Sequence, residues 1–176
     1  MSSVAGDGAG RRARETRKIR PAVPGDEALV LEFVRELAAY ERLSHAVVAG
    51  VEDVRRALFE EPRRAEVLLA FDAGVPVGFA LFFHNFSTFV GRAGLYLEDL
   101  FVRPAARGRG HGKALLCRLA TLACERGCGR MEWAVLDWNV PAIEFYRRLG
   151  ARPMADWTIY RLEGERLTAL ADDGGD

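Results

Sequence analysis

The chain has 176 residues, of which 49% are hydrophobic and 28% are charged, a length and composition that suit one globular domain with its own core. The sequence contains no apolar run near the roughly eighteen residues that a membrane span needs, and no apolar segment near its start. We therefore expect neither a membrane span nor a secretory signal, and we predict a cytoplasmic location. The net charge is zero, but residues 1–20 carry six basic and two acidic side chains, so the rest is mildly acidic, which disfavours nucleic acid as the main partner.

The two ends of the chain differ in composition from the rest. Residues 1–17 are rich in Gly, Ala, Ser and Arg without periodicity, and we predict a disordered leader there. A nucleic-acid arm and a targeting segment are alternatives, but two acidic residues interrupt the basic run, which favours a solvated segment. Residues 172–176 are assigned to an acidic tail, which leaves residues 18–171 as a single domain.

Cysteine and histidine spacing gives no sign of a metal centre. The three cysteines form no C-x-x-C pair, which favours buried thiols in a reducing compartment over redox or metal roles. The three histidines are scattered without ligand spacing, so we predict no bound metal and no histidine-based triad.

Hydrophobic periodicity in the first half indicates two helices and a hairpin. The helix after Asp26 has its apolar residues on one face, and the hairpin turn is Asp72-Ala-Gly74. The predicted elements in chain order are a strand over 18–23, a helix from Asp26 to about Tyr40, a helix over 51–59, and strands over 67–71 and 77–83.

The second half alternates strands with helices. Gly127 and Gly150 supply helix stops, and Asn139 is placed to cap the later helix. The predicted elements are a strand over 95–102, a helix over 113–126, a buried strand over 131–136, a helix from Asn139 to Gly150 and a strand over 157–162. This order predicts an α/β fold with a mixed sheet and no internal repeat.

The turn between strand 95–102 and the next helix is the most informative feature. It reads V-x-P from Val102 and then R-x-x-G-x-G from Arg107 to Gly112. Glycines can adopt positive φ, so backbone N–H groups can close around phosphate oxygens, and the helix N-terminus adds unpaired donors and a positive dipole end. The turn is neither a Walker A loop, because Arg107 and Ala114 replace its Gly and Ser or Thr, nor a dinucleotide fingerprint, because Lys113 replaces the third Gly. A tight connection without a ligand is the alternative.

This loop and three further blocks resemble the GNAT N-acetyltransferases. The blocks are L-Y-L-E-D-L-F-V at 95–102, A-V-L-D-W-N at 134–139 and F-Y-R-R-L-G at 145–150, and they are most similar to the diamine and thialysine acetyltransferases, the group of the spermidine/spermine enzymes. The resemblance implies the GNAT acetyltransferase fold, a mixed central sheet splayed at the acetyl-CoA site with about four helices. It also implies acetyl-CoA as co-substrate, a small-molecule amine as acceptor, no membrane partner and a homodimer.

The resemblance also assigns site residues. It implies that Tyr146 and Glu98 are catalytic, and that Tyr40 and Glu41, with Glu98, contact the amine. The residues implied to bind coenzyme A are Leu100, Phe101, Val102, Arg107, Gly108, Arg109, Gly110, His111, Gly112, Lys113 and Asn139. The loop 87–92 lacks the acidic residue of the polyamine enzymes, and Met154-Ala-Asp156 stands where the family has an acidic pair and a glycine before the tryptophan. Both departures favour a short lysine-like amine over a polyamine.

The chemistry explains why these residue types are needed. An alkyl amine with a pKa of about 10.4 is almost wholly protonated at neutral pH, and freeing its lone pair costs roughly 4 kcal/mol. Glu98 can take that proton through a water, and Tyr146 can protonate the leaving thiolate. From the residues alone, Glu98 as a surface carboxylate and Tyr146 as a packing residue stay open.

The predicted reaction is N-acetylation by direct attack in a ternary complex, since no cysteine or serine is placed as an acyl carrier. Two alternatives stay open. One is acetylation of a protein or peptide, and the other is a coenzyme A-binding regulatory module without turnover.

Overall fold

The computed structural model describes residues 17–174, so the predicted disordered leader lies outside the described residues, apart from Arg17. The elements are β1 (Arg17–Pro21), α1 (Glu27–Tyr40), α2 (Val51–Phe59), β2 (Glu66–Asp72), β3 (Val75–Ser87), β4 (Arg92–Val102), α3 (His111–Glu125), β5 (Met131–Trp133), α4 (Val140–Arg148) and α5 (Glu165–Asp173). They fall into two compact units, one ending at Ala134 and one beginning at Val135. The single-domain assignment stays a prediction, and Asp172 and Asp173 of the predicted tail lie in α5.

The first unit contains a five-stranded mixed sheet in the order β1-β2-β3-β4-β5, together with α1, α2 and α3. Neighbouring strands are antiparallel from β1 to β4, and β5 joins β4 in parallel. The predicted mixed α/β fold is therefore confirmed. The pairing of β4 with β5 covers only Leu95 to Leu97, so within the described residues 99–102 of β4 pair with β3 alone. The two strands thus separate at residue 98, as the predicted splay requires, and leave one backbone edge of β4 open.

Helix α1 packs across one face of the sheet through Phe33. The Phe33 ring stacks on Phe79 with centroids 5.5 Å apart and tilts against Phe101 at 6.4 Å. The other buried members of this cluster are Val30, Leu37, Leu58, Val67 and Leu69. Because aromatic pairs of this geometry fix both ring positions, the middle of α1 is held near the second half of β4.

Helix α3 contacts the sheet through its buried apolar stripe, in which Leu115 and Leu119 are wholly buried. Two ion pairs join this helix region to the two ends of β2. Glu66 at the start of β2 pairs with Arg126, just after α3, and Asp72 at the end of β2 pairs with Arg109, just before α3. The start of α3 is thereby tied to the end of β2.

Three sequence predictions about elements and burial were wrong. Residues 157–162 form no strand, because a strand needs a partner and the described part of the second unit contains only the helices α4 and α5. Strand β5 ends at Trp133, not at Leu136. Cys117 and Cys124 are exposed, because they lie off the buried stripe of α3. In the described range, no helix is long and apolar enough to cross a membrane.

Candidate functional site

The glycine-rich turn adopts the left-handed backbone that its sequence predicts. Gly108 and Gly110 have φ of +75° and +82°, and Gly110 is the N-cap of α3. Gly112 differs, because it is the second residue of α3 and has no positive φ. The first helical bond runs from the Ala114 N–H to the Gly110 carbonyl at 3.0 Å. The N–H groups of residues 111–113 therefore have no partner within the helix, which makes this turn chemically suited to an anion.

The space around the turn differs on its two sides. A Cβ at Gly108 would meet no atom within 4 Å, whereas a Cβ at Gly110 would lie 3.2 Å from Nη2 of Arg17. Lys113 and Arg109 are exposed, so two cationic side chains flank the open side. The His111 side chain is buried instead, so only the backbone of this predicted cofactor-binding residue can face a ligand.

Arg107 brings the turn and the end of α1 together. Its guanidinium lies 4.4 Å from the centre of the Tyr40 ring and 5.7 Å from that of Phe101. Its Nε donates to the Val102 carbonyl at 2.9 Å. A cation over aromatic rings is attracted by their quadrupole, so Arg107 holds Tyr40 beside the end of β4. The structure therefore places a predicted cofactor-binding residue against a predicted substrate-binding residue.

A β-bulge lies at Glu98. Asp99 is opposite Leu81 and Leu97 is opposite Phe82, so Glu98 is an extra residue in β4 without a partner of its own on β3. Glu98 is exposed. Asp99 is two residues before Phe101 and thus shares the face that packs against α1. The bulge occurs where β4 and β5 separate, so it coincides with the open backbone edge.

The electrostatics of this corner are set by three carboxyl groups. Burial, together with the negative charges of Glu98 and Glu41, raises the pKa of Asp99 to about 7. Burial also raises the pKa of Glu41. Among residues 17–174, neither Asp99 nor Glu41 forms an ion pair with a cationic side chain. A carboxyl group with a pKa near neutrality in such a place is suited to accept or release a proton.

The second unit carries the remaining two predicted site residues on one helix. Asn139 is the N-cap of α4, and its side-chain oxygen accepts from the Ala142 N–H at 3.4 Å, as predicted for a capping residue. Tyr146 lies in the same helix with its ring centre 5.4 Å from that of Phe145. A contact of Asn139 with coenzyme A and an acid role for Tyr146 stay predictions.

Sequence reasoning missed two residues of this region. Asp99 is given no role in the sequence analysis, and the only signal for it in the sequence is the adjacent acidic pair at 98–99. Asp72 was interpreted as part of a hairpin turn, and no signal in the sequence connects it to the glycine-rich turn it contacts through Arg109. Both depend on pairing between distant segments.

Comparison with known proteins identifies relatives over nearly the whole length. Residues 31–151 match the family model described as the acetyltransferase (GNAT) family. The chain is 37% identical over 164 residues to a thialysine N-epsilon-acetyltransferase of Bos taurus, covering 87% of this chain and 96% of that protein. It is 31% identical over 198 residues to an L-ornithine N5-acetyltransferase of Arabidopsis thaliana, covering 87% of each. A solved integron cassette protein from V. cholerae superposes with a TM-score of 0.74 at 30% identity, over 89% of this chain and 98% of that one.

Proposed function

Because the chain belongs to the GNAT acetyltransferase family, and is therefore an acyl-transferring enzyme, we propose that it moves the acetyl group of acetyl-CoA to the primary amine of a small lysine-like or ornithine-like molecule. The GNAT fold expected from the sequence is confirmed, with five α-helices in residues 17–174 where about four were expected. The single observation that carries the choice of a cationic amine is the pair of partly buried carboxyl groups, Asp99 and Glu41, beside the open edge of β4.

The proposed acetyl-CoA site combines the open edge of β4 with the glycine-rich turn. Backbone groups of Leu100 to Val102 on the side away from β3 can pair with the amide groups of the pantetheine arm, as an added strand would. The free N–H groups at the start of α3 and the exposed Arg109 and Lys113 suit the pyrophosphate. Asn139 is proposed as the further contact, in addition to its capping bond.

The proposed chemistry begins with the amine. An ammonium group near Asp99 and Glu41 is attracted by their charge, and Asp99, with a pKa raised to about 7, can take its proton at neutral pH. Glu98 acting through a water is the alternative acceptor. The freed lone pair attacks the thioester carbonyl, an N–C bond forms and the C–S bond breaks. Tyr146 donates its phenolic proton to the departing thiolate and is reprotonated, through water, by the second proton that the acetylated nitrogen loses, while Asp99 releases the first proton to solvent.

The proposed substrate preference follows from the small number of acidic groups. A polyamine has several cationic centres and calls for carboxylates at matching distances, whereas a lysine-like amine has one reacting centre and a distant polar end. The loop at residues 87–92 supplies no acidic residue. Relatives named for thialysine and ornithine support the short substrate.

A direct test measures thiol release from acetyl-CoA with a panel of acceptors. The panel contains ornithine, lysine, thialysine, spermidine, spermine and a peptide with a free N-terminus. We expect the highest kcat/KM for one of the first three. A preference for the peptide would support protein acetylation instead. Coenzyme A binding without turnover of any acceptor would support a regulatory module.

Two further parts of the proposal concern the state of the protein. We propose a homodimer and a cytoplasmic location, both of which rest on the family resemblance and the sequence. Sedimentation at several protein concentrations tests the first, and a monomer at all of them would contradict it.

A further inference from the structure

The two ends of β2 carry carboxylates with different surroundings. Glu66 pairs with Arg126 at the surface, where its side chain is 37% exposed. Asp72 pairs with Arg109, but its side chain is only 7% exposed. The buried carboxylate therefore lies beneath the glycine-rich turn, and the exposed one lies at the other end of the same strand, where it serves as a natural control.

His111 lies against the buried carboxylate. It is the first residue of α3, its side chain is 1% exposed, and its Nε2 is 3.5 Å from Oδ2 of Asp72. Within the described residues, neither ring nitrogen makes a hydrogen bond. Buried ring nitrogens without such bonds carry a desolvation cost, and Asp72 is the acidic group that faces them.

Arg17 and Arg109 complete the surroundings of His111. Burial lowers the pKa of His111, and the positive charges of Arg17 and Arg109 lower it further. The negative charge of Asp72 acts in the opposite direction and raises this pKa. His111 is therefore neutral at neutral pH. Nη2 of Arg17 also donates to the Arg109 carbonyl at 2.5 Å. Residues 109–111 are thus held from the inner side by β1 and β2, while their outer side is left to a ligand.

We propose that Asp72 is a positioning residue for the cofactor loop: through Arg109 and His111 it fixes the backbone of residues 109–111 so that their N–H groups are aimed before acetyl-CoA arrives. This inference rests on the proposed function of that loop. A loop ordered in advance loses less conformational freedom on binding, so Asp72 strengthens the affinity for acetyl-CoA. It is not among the residues placed at the reacting atoms, so the chemical step does not depend on it.

The experiment compares Asp72→Asn with Glu66→Gln. For Asp72→Asn we expect the Kd for coenzyme A by calorimetry, and the KM for acetyl-CoA, to rise about tenfold while kcat stays within about twofold. Glu66→Gln, which removes an ion pair at the other end of β2, should leave all three unchanged. In the Asp72→Asn protein the His111 ring, followed by NMR, should also titrate at lower pH, because the acidic group that opposes its lowered pKa is gone.

The outcomes separate this inference from the proposed function. If the unaltered enzyme does not bind coenzyme A, the proposed function fails. If it binds but Asp72→Asn binds equally well, or if Glu66→Gln weakens binding as much, only the positioning role is overturned. Should Asp72→Asn not fold, His111→Asn alters the other contact of Asp72 instead, at a side chain that is 1% exposed and cannot itself meet the cofactor. Faster amide exchange at residues 108–113 of the ligand-free variant would support the proposal, and unchanged exchange would overturn it.

Discussion

Replacing Asp99 with Asn should make the protein more stable at alkaline pH. The folded-state pKa of Asp99 is raised from 3.8 to about 7, so the folded protein binds this proton more tightly than the unfolded chain does. Its contribution to stability is fully present below pH 3.8 and is lost as the pH rises through 7. At 1.36 kcal/mol for each unit, the loss approaches about 4 kcal/mol at pH 8. Asn has nearly the same shape without the charge, and since its amide also needs partners, we expect a gain of about 2 kcal/mol at pH 8.

The assay is urea unfolding of the Asp99→Asn protein and the unaltered protein at pH 5 and pH 8. The gain should be clearly larger at pH 8, because Asp99 is mostly protonated at pH 5. Glu98→Gln is the comparison, since Glu98 is the exposed residue of the same bulge and its negative charge is a lesser cause of the raised pKa of Asp99, so it should give a gain of the same sign but clearly smaller at pH 8. A loss of stability at pH 8, or an equal effect at both pH values, would refute the reasoning from burial and like charge.

The same variant tests the proposed proton acceptor. We expect kcat to fall on the order of a hundredfold, together with loss of the pH dependence near 7. A pH profile of kcat/KM that is unchanged in Asp99→Asn and altered in Glu98→Gln would transfer the role to Glu98. If Asp99→Asn gains stability while it loses activity, the protein retains a destabilising carboxyl group at residue 99 because the reaction needs it.

Three further predictions concern the cofactor, the acid and the acceptor. Gly110→Val should abolish binding of acetyl-CoA in calorimetry, because Gly110 has a φ of +82° and an added Cβ would lie 3.2 Å from Nη2 of Arg17. The control variant Lys18→Gln, nearby on β1, should bind acetyl-CoA normally. Tyr146→Phe should lower turnover on the order of a hundredfold while the free energy of unfolding changes by at most about 1 kcal/mol, and a fully active Phe variant would make Tyr146 a packing residue. When a lysine-like amine and spermine compete in one reaction, mass spectrometry should show mainly the acetylated lysine-like product, and a clear preference for spermine would show that other groups supply the missing acidic contacts.

Local signals in the sequence predicted much of the fold. The helix over 51–59 has the bounds that its apolar spacing and the following Glu61-Pro62 indicate. Gly108 and Gly110 adopt positive φ because the turn from β4 into α3 demands it, and the spacing of glycines makes that visible. Such features depend on residues within a few positions of one another, so a single sequence contains them.

Features that depend on distant pairing were not predicted. Alternation along β4 places Glu98 and Asp99 on opposite faces, but the bulge is fixed by the register with β3, which single-strand periodicity cannot show. Residues 157–162 have strand-like composition, yet within the described second unit they find no strand to pair with. Asp72 and His111 are about forty residues apart in sequence and meet only because β2 and α3 pack together.

The buried carboxylate Asp72 and the partly buried carboxylate Asp99 show how surroundings separate two roles for one residue type. Asp72 has the guanidinium of Arg109 as a partner and the ring of His111 beside it, so its charge is compensated within the protein and it serves to hold a loop. Asp99 faces the like charges of Glu98 and Glu41, so burial leaves its charge uncompensated and raises its pKa into the working range of an enzyme. A cationic substrate is the partner that would complete the second site. If that reasoning holds, a saturating amine should lower the apparent pKa in the pH profile of kcat relative to that of kcat/KM, and equal values would argue that the amine does not bind beside Asp99.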